Sequence, residues 1–265
     1  MLERLPRDGY EQQLVRYCAV DGDEARAYLL VPAGAGPFGG VLIHHQHNSE
    51  FHLGKSEVAG LAGDPLQAFG PALARRGAVV IAPDSIGFED RGSDGPRHFN
   101  EMAYRLVRGR LLMTTVLGDA GLALAALLAR DDVDRSRVGV LGHSYGGSTT
   151  LFQAALDERV RFACASGAAC TYRRRMADGT GIELAQIVPG ILDVADVDDL
   201  VRMIAPRPLL LVSAPEDPYS ADADAIAAAA AYPTLEHARF VGGHPLTAER
   251  FHTIVEWVAN CARVQ

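Results

Sequence analysis

Cysteine is scarce in this chain. Cys18, Cys164, Cys170 and Cys261 are scattered over 265 residues with no Cys-x-x-Cys pair, which argues against a disulfide scaffold and a paired-thiolate metal or redox motif. Cys164 lies in an apolar run and reads as a small buried hydrophobe. Positive charge is not in excess: the formal net charge is −8 at pH 7, which disfavours nucleic acid or an anionic membrane as the main partner. The first residues, Met-Leu-Glu-Arg-Leu-Pro-Arg-Asp, have no apolar core. No secretory signal is therefore visible, and a cytoplasmic location is the expectation. One long apolar run, Leu111 to Ala129, is interrupted by Asp119 with Gly118 and Gly121 beside it. It reads as a helix covering a parallel sheet and not as a membrane span. There is no internal repeat and no long disordered linker.

What is present is an ordinary globular composition, 48% hydrophobic and 22% charged, in a chain long enough for one large α/β domain over 1–265. Apolar runs alternate with helical patterns, which predicts a mostly parallel sheet with crossover helices on both faces. The expected strands are Leu14–Val20 and Ala25–Val31, an antiparallel pair turning at Asp21-Gly-Asp, then Gly40–His44, Ala78–Ala82, Val138–Leu141, Val160–Ala165, Pro208–Ser213 and Leu235–Val241. Eight strands of this kind make an open, doubly wound sheet. Helices are expected within Val58–Arg76, as one long element in Asn100–Arg130, and at Ser148–Leu156, Ala221–Ala231 and Thr247–Cys261. The stretch 167–207 is longer than a simple crossover. It would stand over the carboxyl end of the sheet, where ligands bind, as a small cap.

The most informative segment is Arg137-Val-Gly-Val-Leu-Gly-His-Ser-Tyr-Gly-Gly147. A short buried strand runs into Gly-x-Ser-x-Gly and straight on into a helix, the context that exposes a serine hydroxyl on a sharp turn. Small residues at 142, 146 and 147 let neighbouring backbone pass close by. A serine hydroxyl needs a base, and the base an orienting acid. Among nine histidines, His244 follows the last strand in Val-Gly-Gly-His-Pro and precedes the final helix. His143 belongs to the turn itself and is expected to point away from Ser144. The acid is expected at a strand end between the two, where Leu-Leu-Leu-Val-Ser-Ala-Pro-Glu-Asp ends in adjacent carboxylates. Asp217, followed by Pro218, is preferred to Glu216. Ser144, Asp217 and His244 then follow the chain order of an α/β-hydrolase triad. Oxyanion donors are expected from the amide of Tyr145 and from the loop after His44, with His47 favoured and Gln46 next. His44, His45, His47 and His52 are close enough in sequence to suggest zinc, but no nearby Cys or Glu completes a set. No metal is expected.

The stretches His45-Gln-His47, Gly54-Lys-Ser-Glu57, Ala74–Asp84 with Gly87-Phe88, Gly142–Gly147, Ile204-Ala-Pro-Arg-Pro208 and Asp217-Pro-Tyr-Ser220 span most of the chain. On them the protein resembles the dienelactone hydrolase-like and acetyl xylan esterase-like branch of the α/β-hydrolase superfamily. The resemblance implies the α/β-hydrolase fold, ester hydrolysis without a cofactor, and Ser144, Asp217 and His244 as the triad. True dienelactone hydrolases use a cysteine nucleophile, and this chain has serine. The expected partner is a small-molecule ester or thioester, and a homodimer is compatible with the sequence. Acyl transfer or cyclisation through the same acyl-enzyme is the second enzymatic reading, and amide hydrolysis of the peptidase type is another; a ligand receptor on a retired hydrolase fold is the non-enzymatic one. Phe88, Tyr172 and Arg173 are candidate substrate contacts. The run Arg173-Arg174-Arg175 is either an anion grip or a solvated face.

Overall fold

The computed structural model describes residues 1–92 and 95–263. Nine strands are present among them: β1 (Glu3–Arg7), β2 (Tyr10–Cys18), β3 (Glu24–Pro32), β4 (Phe38–His44), β5 (Ala78–Pro83), β6 (Val133–His143), β7 (Phe162–Ser166), β8 (Leu209–Ser213) and β9 (Leu235–Arg239). They form one sheet in the order β1-β2-β3-β5-β4-β6-β7-β8-β9. The pairings β1–β2, β2–β3 and β3–β5 are antiparallel, and all the others are parallel. The helices are α1 (Lys55–Val58), α2 (Phe69–Ala74), α3 (Gly95–Val107), α4 (Leu112–Leu128), α5 (Tyr145–Leu156), α6 (Tyr172–Asp178), α7 (Val197–Ile204), α8 (Ala223–Ala230) and α9 (Ala248–Ala262).

Side chains on successive strand residues point to opposite faces, and β4 shows the consequence. Leu42 packs with Leu124 and Leu127 of α4 in one core. Its neighbours Val41 and Ile43 pack with Phe69, Leu73, Ile254 and Val258 from α2 and α9 in the other. Helices α4, α5, α7 and α8 thus cover one face, and α2 and α9 the other.

Two expectations are corrected. The sheet has nine strands, not eight. β1, Glu-Arg-Leu-Pro-Arg, is an exposed edge strand with no apolar run to announce it, and only an edge tolerates Pro6. The single long helix in Asn100–Arg130 is two helices bent by 107°. Gly109 adopts φ +68° between them, a left-handed conformation that ends a helix. No single described helix is long and apolar enough to cross a membrane. The apolar run of α4 faces the core, and its Asp119 is ion-paired with Arg91.

A buried ionic lock fixes the loop between β4 and α1. Lys55 Nζ lies 2.8 Å from Asp84 Oδ2, 2.5 Å from Glu89 Oε1 and 2.8 Å from Asp90 Oδ2. The Lys55 amide donates to Asp84 (2.8 Å), and the Ser56 amide and hydroxyl donate to Glu89 (3.0 and 2.8 Å). These three carboxylates approach closely enough to hold a cation, and the lysine ammonium occupies that place. Burial works against charge on Lys55, yet the three acids hold it above the usual amine range. Burial and the charge of Glu89 push Asp84 up to about 7, although Lys55 pulls the other way.

Lys55→Met would leave the buried Asp84 and the half-buried Glu89 without a counter-charge and is expected to remove about 3–5 kcal/mol of stability. An acid whose pKa is raised on folding contributes stability at low pH that is lost as pH rises through its folded value. The deficit should therefore be larger at pH 8 than at pH 5, where Asp84 carries a proton. Urea unfolding of both proteins at the two pH values measures it, and an equal deficit would count against the charge explanation.

Candidate active site

The chain turns sharply at the carboxyl end of β6. Ser144 stands between β6 and α5 with φ +59°, a conformation that costs a non-glycine residue of order 1–3 kcal/mol and persists only where its surroundings enforce it. Here the Ser144 amide donates to the Ser166 carbonyl at the end of β7 (2.8 Å), and the Ser148 amide donates back to Ser144 O (3.0 Å). The turn also needs Gly146, since a Cβ there would fall 2.2 Å from the carbonyl oxygen of His44. The amide of Tyr145 is one of the first in α5, which have no acceptor within the helix.

Three side chains distant in sequence meet at this turn. His244 Nε2 lies 2.7 Å from Ser144 Oγ, and His244 Nδ1 lies 2.9 Å from Asp217 Oδ1. Asp217 is buried just after β8 and accepts the Tyr219 amide (2.9 Å) and the Ser220 hydroxyl (2.9 Å). Burial pushes its carboxyl up, but the hydrogen bond and charge of His244, with the Tyr219 and Ser220 donors, outweigh that and hold it below the ordinary range. An ionised carboxylate only accepts, so Nδ1 of His244 carries the ring proton and Nε2 is left to accept from the serine hydroxyl. Glu216, the rival acid, is exposed, and its amide donates to Gly242 O (3.2 Å).

The loop carrying His244 is gripped from α9. The buried Arg250 guanidinium donates to the carbonyls on either side of that histidine, Gly243 O (2.8 Å) and Pro245 O (3.1 Å). Pro245 does not open the helix; Thr247 caps it, accepting the Arg250 amide. Gly167, just after β7, has φ +61° and closes the site's inner wall.

The loop after β4 carries the other predicted residues. His45 is buried. Its Nε2 accepts the Ser85 amide (3.1 Å), and its Nδ1 donates to Gln46 O (2.8 Å). Burial pushes it down to about 4, so it is neutral. The Gln46 side chain donates to Glu57 (3.1 Å), which ties it to the same short helix as Lys55. His47 Nδ1 accepts the Ser49 amide (2.9 Å), and its Nε2 lies 3.7 Å from Glu183 of the insert. His44 reaches Gln153 (2.7 Å) instead. Among the described residues these histidines do not converge as a ligand set.

The three candidate substrate contacts lie as follows. Phe88 is wholly buried, packed against His45, Phe51, His98 and Tyr145. Tyr172 is buried, and its hydroxyl donates to Gln186 O (2.7 Å). Arg173 pairs with Asp196 (3.2 Å), Arg174 with Asp178 (2.5 Å), and Arg175 donates to Gly181 O (3.0 Å). The arginine run makes these contacts within the insert, and the Arg173 and Arg174 side chains remain largely exposed. Sequence reasoning missed Lys55, Arg250, Gly167, Ser166 and the contact made by His143. Of these, His143 and Lys55 stood in motif stretches, Gly167 opened the expected insert and Arg250 lay in the expected last helix.

Solved structures share this fold. An acetyl xylan esterase from Paenibacillus sp. R4 superposes with a TM-score of 0.71 at 19% identity, over 98% of this chain and 86% of that one. A cold-adapted esterase from an Arctic intertidal metagenomic library superposes with a TM-score of 0.70 at 16% identity, over 99% of both chains. At such identities the likeness is one of fold. YtaP of Bacillus subtilis (strain 168), whose name assigns it only provisionally to the hydrolases, is 28% identical over 218 residues, 79% of this chain and 72% of its own. The fold is that of the α/β-hydrolases, and the chain is an enzyme of the serine-hydrolase class. Residues 69–217 match the prolyl oligopeptidase family (Peptidase_S9), and the protein belongs to that family.

Proposed function

We propose that the protein hydrolyses carboxylic esters or thioesters of small molecules in the cytoplasm, through an acyl-enzyme on Ser144. The observation that carries this reading is the pair of distances at His244: 2.7 Å to Ser144 Oγ and 2.9 Å to Asp217. His244 takes the hydroxyl proton as Ser144 Oγ attacks the carbonyl, and Asp217 stabilises the imidazolium that forms. The amides of Tyr145 and of His47, with Gln46 as the alternative, receive the oxyanion. Protonated His244 then delivers its proton to the leaving alkoxide or thiolate, and water repeats the cycle on the acyl-enzyme. No metal or organic cofactor enters these steps. The insert at 167–207 acts as a small cap. In support, its Leu184, Ala185 and Ile187 pack in the cluster that contains Tyr145, and its Glu183 faces His47.

The test is a panel of aryl esters and thioesters of varied acyl length, run with wild type and Ser144→Ala, with fluorophosphonate labelling located by mass spectrometry. Equal rates for the two proteins, or a label elsewhere than Ser144, would remove Ser144 from the mechanism. The family match favours one second reading, cleavage of a peptide-type amide through the same acyl-enzyme. Peptidyl anilides in the same panel separate the two.

Gly167→Ala probes the inner wall. Its Cβ would meet His143 Cε1 at 3.0 Å, His244 Cε1 at 3.1 Å and Asp217 Oδ2 at 3.2 Å, at a φ that disfavours any side chain. Displacement of the triad by a fraction of an ångström is expected to lower kcat about a hundredfold. Ester turnover beside a thermal melt measures it, and a folded variant with wild-type kcat would contradict it.

A further inference from the structure

We propose that His143 is a positioning residue for His244, its imidazole forming the surface on which the His244 ring rests while it exchanges protons with Ser144. The inference rests on the catalytic reading of Ser144 and His244 and adds a residue to it.

Two hydrogen bonds set the direction of the His244 ring in its own plane, but neither fixes its tilt. Tilt is fixed by what lies on its faces. The His143 ring stacks on one face, with centroids 4.9 Å apart and planes 28° apart. Tyr219 contacts the ring at 4.7 Å and 60°. Both histidine rings come close to the point where a Cβ on Gly167 would stand. With His143 stacked on it, Tyr219 against it and Gly167 close to its Cε1, the ring has little room to swing Nε2 away from the serine.

His143 is itself held. Its Nδ1 lies 3.0 Å from the Ser166 hydroxyl, and the carbonyl of Ser166 receives the Ser144 amide at 2.8 Å. One residue at the end of β7 therefore fixes both the turn that presents the nucleophile and the ring beneath the base. The sequence made His143 look idle because adjacent residues on a sharp bend diverge. The divergence is what sends its ring under His244.

The charged and titratable groups facing His143 are His244, Asp217 and Arg250. Burial, then the charge of His244, push His143 down to about 3, while Asp217 pulls weakly the other way. The ring stays neutral throughout the working pH range. When His244 becomes a cation, it meets a polarisable neutral face and no second charge.

The test separates the ring from its hydrogen bond. His143→Phe keeps a flat ring and loses the bond to Ser166; His143→Gln keeps a polar group for Ser166 and loses the ring. Each is assayed with 4-nitrophenyl acetate for kcat and KM, and active sites are titrated with a fluorophosphonate. His143→Gln is expected to keep its full titre of labelled sites and its KM, with kcat and the labelling rate reduced about a hundredfold. His143→Phe is expected to stay within about tenfold of wild type, because the stacked face remains. Wild-type kcat in His143→Gln, or a loss in His143→Phe as large as in His143→Gln, overturns the proposal. A variant that merely misfolds shows a reduced titre with normal turnover per labelled site, which also overturns it. If wild type takes no label at Ser144, the underlying catalytic reading fails, and that outcome is distinct from any of these.

Discussion

Replacing Ser144 by alanine is expected to reduce kcat for a short-chain aryl ester on the order of a millionfold, with little change in KM. The size follows from the geometry. The Oγ atom is the one group placed against His244 Nε2, at 2.7 Å, and its removal abolishes the acyl-enzyme route instead of weakening it. What remains is catalysis of direct water attack by the oxyanion donors and by binding, roughly 10³–10⁴ over water. The substitution should not unfold the protein. Ser144 is only half-buried, and alanine at its φ of +59° adds no bulk. Steady-state turnover measured beside the melting curve decides it; an active, folded Ser144→Ala would dismantle the mechanism.

Asp217→Asn is the second large effect, about 10⁴ in kcat. Asparagine fits the same space, so the fold should survive. Oδ1 of Asp217 accepts the Tyr219 amide as well as His244, and Oδ2 accepts the Ser220 hydroxyl, so the asparagine oxygen is expected to stay toward His244 with its NH2 toward Ser220. What is lost is the negative charge that stabilises the imidazolium as the serine proton moves to His244. In wild type the carboxylate is held below its ordinary range by His244 and by the Tyr219 and Ser220 donors. A kcat for Asp217→Asn within tenfold of wild type would show that the orienting carboxylate lies elsewhere.

Much of this site could be read from the sequence because strand ends are well marked in it. Ser144 follows an apolar strand and precedes a helix; Asp217 and His244 follow apolar runs and are flanked by Pro and Gly. In a parallel sheet, strand ends on one side become neighbours in space whatever their separation in the chain. The parts that stayed hidden depend on pairings that no local pattern encodes. Lys55 reads as a surface residue until three acids from 29 to 35 positions further on surround it. Arg250 falls within an ordinary amphipathic helix, and only the path of the 243–245 loop makes its guanidinium indispensable. The surroundings of Phe88 were hidden for a similar reason. A loop leaving a strand end borders the cleft, but the side that each residue turns inward is set by packing against His45, Phe51 and Tyr145. The break at Gly109 was missed because apolar periodicity continues on both sides of it.

The grip of Arg250 on the loop at 243–245 gives the final helix a second task. A helix that covers a sheet ordinarily contributes only cohesion. This one also tethers His244, the proposed proton acceptor, from the face of the sheet opposite α5, which begins directly after Ser144. Chemistry at the rim is thereby moored to both flanks of the molecule at once, and its alignment is only as firm as the docking of the last helix.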